Sequence, residues 1–314
     1  MRTHVKVLVL AVVCCAAIVA AAAQQKPAGD LGWAFPAPVG DPPVGFEDAP
    51  LKHVPGSSAS YDHARIDAFD PPDWFPDEHP PMPEVVRHGR GSPVMACSYC
   101  HLASGLGHPQ SGNLAGLPVA YFMKQIAGFR SGARSAPPMD FIAKGMADVD
   151  AQEAAAWFAS LKPTSWVKVT EAETAPKTFV IVTRLRIPLM TGETEPLGDR
   201  IIEVPQEPAR ALSYDPHSGF IAYVPVGSLA KGESLVKTGG AGKTIACKTC
   251  HGEGLTGMGD VPRIAGRSAI FIFRQLHNIQ TDARSGAELM KPVVANLTQQ
   301  DMVAIAAYVA SLTP

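Results

Sequence analysis

The chain has 314 residues, with 27 basic and 29 acidic side chains, a formal net charge of −2 and only 18% charged residues. That length suits about two domains, and the near-neutral balance gives no basic stripe of the kind a nucleic-acid binder needs. Glycine (28) and proline (29) are both abundant, as in compact units joined by turn-rich segments.

The N-terminus reads as an export signal. Arg2 and Lys6 form a basic start, residues 7–22 are apolar, and Ala21-Ala22-Ala23 fits the small-residue cleavage pattern, so residues 1–23 are expected to be removed before Gln24. An uncleaved anchor is the alternative, for which the run barely reaches bilayer-spanning length. The expected location is the periplasm, and removal leaves 25 basic and 29 acidic groups. Residues 24–80 are rich in proline and carry Trp33 and Trp74. An irregular arm packed over the following units by aromatic anchors is expected, because a free tail would carry fewer aromatics.

The string C-x-x-C-H then occurs twice, as Cys97-Ser98-Tyr99-Cys100-His101 and as Cys247-Lys248-Thr249-Cys250-His251. Two thiols at this spacing can each add across a vinyl group of one haem, and the adjacent histidine then sits beneath the iron as its axial ligand. Of the 6 cysteines, Cys14 and Cys15 fall in the signal, and the two motifs use all the rest. A zinc knuckle or a thiol redox pair is the other reading of such cysteines.

The second motif follows the first at an offset of 150 residues, and the register extends beyond the cysteines. Leu114-Ala115-Gly116 falls on Ile264-Ala265-Gly266, Gln125 on Gln275, and Ala133-Arg134-Ser135 on Ala283-Arg284-Ser285. After one insertion Met139 falls on Met290, Asp150 on Asp301 and Ala159-Ser160-Leu161 on Ala310-Ser311-Leu312. Two homologous units result, 81–163 and 229–314. The first should carry helices over 83–88, 118–129 and 150–161. In the second, Ser228 is expected to cap a helix over 229–237 that ends at Gly239-Gly240. A middle helix covers 269–280, and Thr298 with Asp301 forms a capping box before the last helix. Between the units, residues 164–228 read as a β-rich insert, with β-branched or alternating runs at 178–187, 201–204 and 220–224.

His101 and His251 are the expected proximal ligands. A sixth ligand should recur in both copies, and among the methionines only the pair Met139 and Met290 does so. Methionine there completes a low-spin iron suited to electron transfer, whereas core packing is the ordinary role of any single methionine. Pro262, 11 positions after His251, is placed for its carbonyl to accept the ring N–H, and Gly112 holds the matching place in the first unit. Arg134 and Arg284 recur and could pair with haem propionates, or simply be exposed. His53, His63, His79, His88, His108 and His277 have no partners in the repeat and read as surface or packing residues.

These residues give the chain a resemblance to the diheme cytochromes of the cytochrome c4 family. The matching features are the tandem C-x-x-C-H units, the LAG/IAG step before a Gln-containing helix, Gly132-Ala133-Arg134 with Asp282-Ala283-Arg284 in the second copy, and a methionine followed by a final helix ending in Ala-Ser-Leu. The resemblance implies a mainly α fold of two tandem class I cytochrome c domains, here with a small β insert between them and an irregular Pro-rich N-terminal arm. It also implies two covalently bound haem c groups passing electrons between redox protein partners such as a dehydrogenase, a quinol-cytochrome c reductase or a terminal oxidase, with peripheral membrane association possible. The chain departs from the family pattern in its long insert and its N-terminal arm. An electron carrier rather than an enzyme is expected. An electron-transfer subunit of a larger oxidoreductase and a diheme peroxidase-like enzyme are the alternatives.

Overall fold

A backbone short of N–H donors builds little regular structure, and the proline-rich arm bears this out over the part seen. The computed structural model describes residues 31–37, 43, 51–66 and 68–314; the expected signal and its cleavage point before Gln24 lie outside them. Within 51–80 the described residues form only helix α1 (His63–Ile66) and a 3-10 turn at Pro76–Glu78. Aromatic side chains fix the arm in place. Trp33, 4% exposed, lies 4.6 Å from the ring of Phe273 in the second unit. Trp74 donates its Nε1–H to the Ser213 carbonyl at 2.7 Å. Trp157 donates to the Pro80 carbonyl at 3.0 Å, tying the end of the arm to the first unit.

The first unit comprises α2 (Glu84–Arg87), α3 (Cys97–His101), α4 (Val119–Ser131), α5 (Met139–Gly145) and α6 (Asp148–Ser160). Phe122, Ile126 and Phe129 of α4 are buried at helical spacing. They face α6, whose Phe158 is fully buried and stacks on Phe122. Burying one such ring contributes about 1.5–3 kcal/mol. Helix α5 lies between the expected helices 118–129 and 150–161, and Met139 is its first residue, directly after Pro138 at the N-cap.

The insert runs through β1 (Val167–Glu171), β2 (Thr174–Pro176), β3 (Thr178–Val180), β4 (Arg186–Pro188), β5 (Thr194–Pro196), β6 (Ile202–Pro205), α7 (Pro208–Leu212) and β7 (Phe220–Val224). β7 is the centre of a three-stranded sheet, parallel to β1 and antiparallel to β6. β2 pairs with β5, and β3 with β4. The single strand expected over 178–187 is therefore a hairpin. Arg184 turns it with a φ of 67°, and Phe179 faces Ile187 across it. Phe179 and Ile187 are both buried, so the two arms share an inward face.

The second unit comprises α8 (Ser228–Thr238), α9 (Lys248–His251), α10 (Ala269–Gln280), α11 (Lys291–Val294) and α12 (Gln299–Ser311). The expected capping box is present: Thr298 Oγ1 accepts from the Asp301 N–H at 3.2 Å, and Asp301 Oδ2 accepts from the Thr298 N–H at 2.8 Å. Asp301 and its repeat partner Asp150 are 1% and 6% exposed. Lys231 and Lys243 pair with the first and Arg90 with the second. Ser228 does not cap α8. It lies inside the helix, and the N-cap is Gly227, with a left-handed φ of 86°. The orphan Leu229 N–H donates instead to the Glu171 carboxylate at 2.8 Å; the β1–β7 register sets Glu171 beside Val224, just before α8. Helices α8 and α12 pack closely because Gly232 has no side chain: a Cβ there would collide with the Ala304 carbonyl and with Tyr308. The described residues are thus mainly helical, with three small sheets.

Candidate haem sites

Helix α3 is a little over one turn, and it carries the first motif. A helical turn sets Cys97 and Cys100 on one side, and both line the same cavity as His101. Leu102 closes the helix with a φ of 61°, its N–H on the Ser98 carbonyl. The His101 Nδ1 lies 2.7 Å from the Gly112 carbonyl oxygen. A carbonyl can only accept, so Nδ1 carries the proton and Nε2 presents a lone pair. Among the described residues no hydrogen bond reaches that Nε2. Burial, aided by the nearby Arg134 cation, pulls the His101 pKa down to about 4 against the Gly112 bond. The ring is therefore neutral near pH 7, the state in which imidazole binds a metal.

The cavity and its mouth together hold about 1120 Å³ of space between atoms, open solvent included. Leu114, Phe122, Ile126, Phe129 and Phe158 give it apolar walls. Of the expected site residues Cys97, Cys100, His101, Arg134 and Met139 all meet here. Met146 lines the same cavity.

The second motif repeats the local geometry. Helix α9 ends at Gly252 with a φ of 79°, and His251 Nδ1 lies 2.8 Å from the Pro262 carbonyl oxygen. His101 and His251 are equally buried, each 9% exposed. Burial lowers the His251 pKa against the Pro262 bond. Met290 stands half-buried at the end of a 3-10 turn, Glu288–Met290. Cys247 is half-buried and Cys250 exposed.

Both alternative readings of the cysteines fit this geometry poorly. All four are free thiols. Burial pushes Cys97 up to about 12, and Cys100 and Cys247 up to about 11, whereas a thiol redox centre needs a lowered pKa. Among the described residues no group of three or more His, Cys, Asp or Glu side chains converges as a structural zinc site requires.

Arg134 and Arg284 meet where the units join. Their backbones form an antiparallel bridge. Arg134 donates to Gln125 at 2.9 Å, and Arg284 to Gln275 at 2.7 Å, to Gln125 at 2.9 Å and to the Tyr121 hydroxyl at 3.1 Å. Burial and the neighbouring Arg284 pull Arg134 down to about 9. Three further arginines of the second unit reach into the first. Arg263 donates to Asn113 Oδ1 at 3.0 Å, Arg267 to the Asn113 carbonyl at 2.6 Å, and Arg274 to Gln110 at 2.7 Å. Their counterparts in the first repeat are Asn113, Leu117 and Lys124. A search for recurring residues passes over them for that reason. His108, read from sequence as surface or packing, bonds Ser111 at 3.1 Å beside this wall.

Among the described residues, several buried donors find no acceptor, including Asn113 Nδ2 and Arg267 Nε, and both side chains line the first cavity. A roomy apolar slot with two thiols, a neutral imidazole and unmatched cationic donors on one wall fits a haem, whose edge carries carboxylates.

Comparison with known proteins agrees. Residues 228–309 match the family model described as cytochrome c oxidase, cbb3-type, subunit III. Those residues are a cytochrome c family domain. That membership implies a covalently attached haem c in this part of the chain. The chain is 34% identical over 95 residues to the thiosulfate dehydrogenase electron acceptor of Stutzerimonas stutzeri, a match covering 29% of this chain and 44% of that protein. It is 36% identical over 73 residues to cytochrome c4 of Pseudomonas aeruginosa, covering 23% and 36%. The structure of thiosulfate dehydrogenase (TsdBA) from Marichromatium purpuratum superposes with a TM-score of 0.51 at 26% identity, over 74% of this chain and 39% of that one. The chain thus spans less than half the length of each of these relatives.

Proposed function

We propose that the chain is an exported electron-transfer protein made of two tandem class I cytochrome c folds, each holding one haem c. One observation carries this reading. In both units the histidine after C-x-x-C gives its Nδ1–H to a backbone carbonyl 11 residues on, at 2.7 Å and 2.8 Å. This leaves Nε2 of a neutral ring for a metal. The haem, when bound, supplies a ferric–ferrous couple. The protein's part is to hold the group still and keep water away. Cys97 with Cys100, and Cys247 with Cys250, anchor it; Gly112 and Pro262 orient the imidazoles; Phe122, Phe129 and Phe158 wall off the first site.

Met139 and Met290 serve as the sixth ligands, supported by their recurrence in the repeat. Arg134 and Arg284 are placed to face propionates from the junction of the units. The protein works in the periplasm, released from residues 1–23. The pairing of Met139 with Met290 in the repeat favours a carrier over a peroxidase-like enzyme.

Mass spectrometry of the purified protein tests the proposal. Added mass equal to two haems is the expected result, and a chain without added mass overturns it.

The relatives favour one more specific role. One is named the electron acceptor of a thiosulfate dehydrogenase, and a thiosulfate dehydrogenase structure covers 74% of this chain. On that basis the chain accepts electrons from a dehydrogenase partner rather than diffusing freely. Size-exclusion chromatography of native extract separates the two: a partnered chain elutes with its dehydrogenase.

A further inference from the structure

We propose that Arg267 and Asn113 form a carboxylate clamp across the two units, by which the second unit holds a propionate of the haem carried by the first. The inference rests on the two-haem reading above and adds to it a cross-unit ligand contact that sequence recurrence does not contain.

Arg267 and Asn113 are each 5% exposed. Both line the cavity that contains His101. They touch one another, since an Arg267 terminal nitrogen donates to the Asn113 carbonyl at 2.6 Å. The Arg267 guanidinium carbon lies 5.7 Å from the centre of the Phe271 ring, which fixes the plane of the fork. Arg263 buttresses the pair from behind through Asn113 Oδ1, and this contact leaves Asn113 Nδ2 as the free end of the amide.

The unmatched groups are of one kind. Arg267 Nε and Asn113 Nδ2 are buried donors without acceptors. Among the described residues no aspartate or glutamate lines the cavity. Leaving a guanidinium stripped of water and unpaired is costly. An anionic acceptor entering from the cavity side removes that cost, and the carboxylate of a bound haem is such an acceptor.

The clamp is one-sided. The position matching Arg267 in the first unit is Leu117, and that matching Asn113 in the second is Arg263. From this pair the first haem therefore gains a cation that the first unit does not return from the matching positions. A cation beside a haem favours the ferrous form, which carries one positive charge fewer than the ferric form.

The test is potentiometric titration of the holoprotein, with haem content of every sample counted by mass spectrometry. In Arg267→Gln one of the two midpoint potentials falls and the other holds. Asn113→Leu, which removes the second donor on the same cavity wall, lowers the same potential. Arg267→Lys, which keeps the charge without the fork, restores most of the fall. If both haems are present and neither potential moves, or both fall together, the clamp is wrong while the two-haem reading stands. Absence of covalent haem from the wild-type protein would overturn both.

Discussion

Arg134 and Arg284, equivalent in the two repeats, lie backbone to backbone in an antiparallel bridge although their side chains carry like charges. Their repulsion is offset by two glutamines that are also equivalent. Gln125 Oε1 accepts from both arginines at 2.9 Å, and Gln275 Oε1 accepts from Arg284 at 2.7 Å and from Arg134 at 3.4 Å. Removing one carbonyl strands two buried N–H groups. A hydrogen bond to a charged group contributes about 1.5–3 kcal/mol. Gln275→Ala should therefore lower stability by about 2 kcal/mol in a urea melt. A loss below about 0.5 kcal/mol would show that water replaces the glutamine.

The methionines separate ligand from filler. Met139 and Met146 both line the first cavity, but only Met139 has a methionine counterpart, Met290, since Leu297 stands opposite Met146. Met139→Ala and Met290→Ala should each abolish the methionine–iron absorption band of one haem and produce a high-spin signal. Met146→Leu should leave the spectrum unchanged. Reversal of the first and third results would move the ligand to Met146.

Glu203 gives the fold a pH dependence. It is 1% exposed and caps the start of α10, accepting from the Ser268 hydroxyl at 2.8 Å and the Ile270 N–H at 3.0 Å. Burial raises its pKa from 4.5 to about 6, against these hydrogen bonds. The folded protein therefore holds this proton more tightly than the unfolded chain does. The resulting stabilisation is complete below pH 4.5 and is lost as pH rises through 6, by about 2 kcal/mol. Denaturant melts from pH 4 to 7.5 should show this loss relative to Glu203→Gln. Parallel profiles for the two proteins would refute it.

Gly232 controls the approach of α8 to α12. Its backbone is helical, so alanine is acceptable to the helix itself. The added methyl would nevertheless strike the Ala304 carbonyl and Tyr308. Gly232→Ala should destabilise the second unit by about 1–3 kcal/mol, read as a drop in melting temperature. An unchanged melting temperature would mean the helices can slide apart freely.

What the sequence disclosed followed from repetition and from local rules. The two C-x-x-C-H motifs, the paired histidines with carbonyls 11 residues on, the helix over 269–280 and the Thr298–Asp301 capping box each depend on residues close in the chain, so their chemistry is visible in a short window. Contacts across units were not visible. Arg263, Arg267 and Arg274 have no repeat partners, and nothing nearby marks them as buried. The Ser228 cap failed for the same reason: the acceptor that caps α8 comes from Glu171, 58 residues upstream. The strand expected over 178–187 failed because alternation says which side faces inward but not where the chain reverses.

The chain leaves the first unit along β1 and arrives at the second along β7, and these strands run side by side in the same direction from Val167–Phe220 to Glu171–Val224. The residues between β1 and β7 are thus an excursion that returns to the strand by which the chain left the first unit. The exposed corner at Thr191 and Gly192 sits on that excursion. A foreign module spliced in there would ride along while the pairing of β1 with β7 stayed as it is.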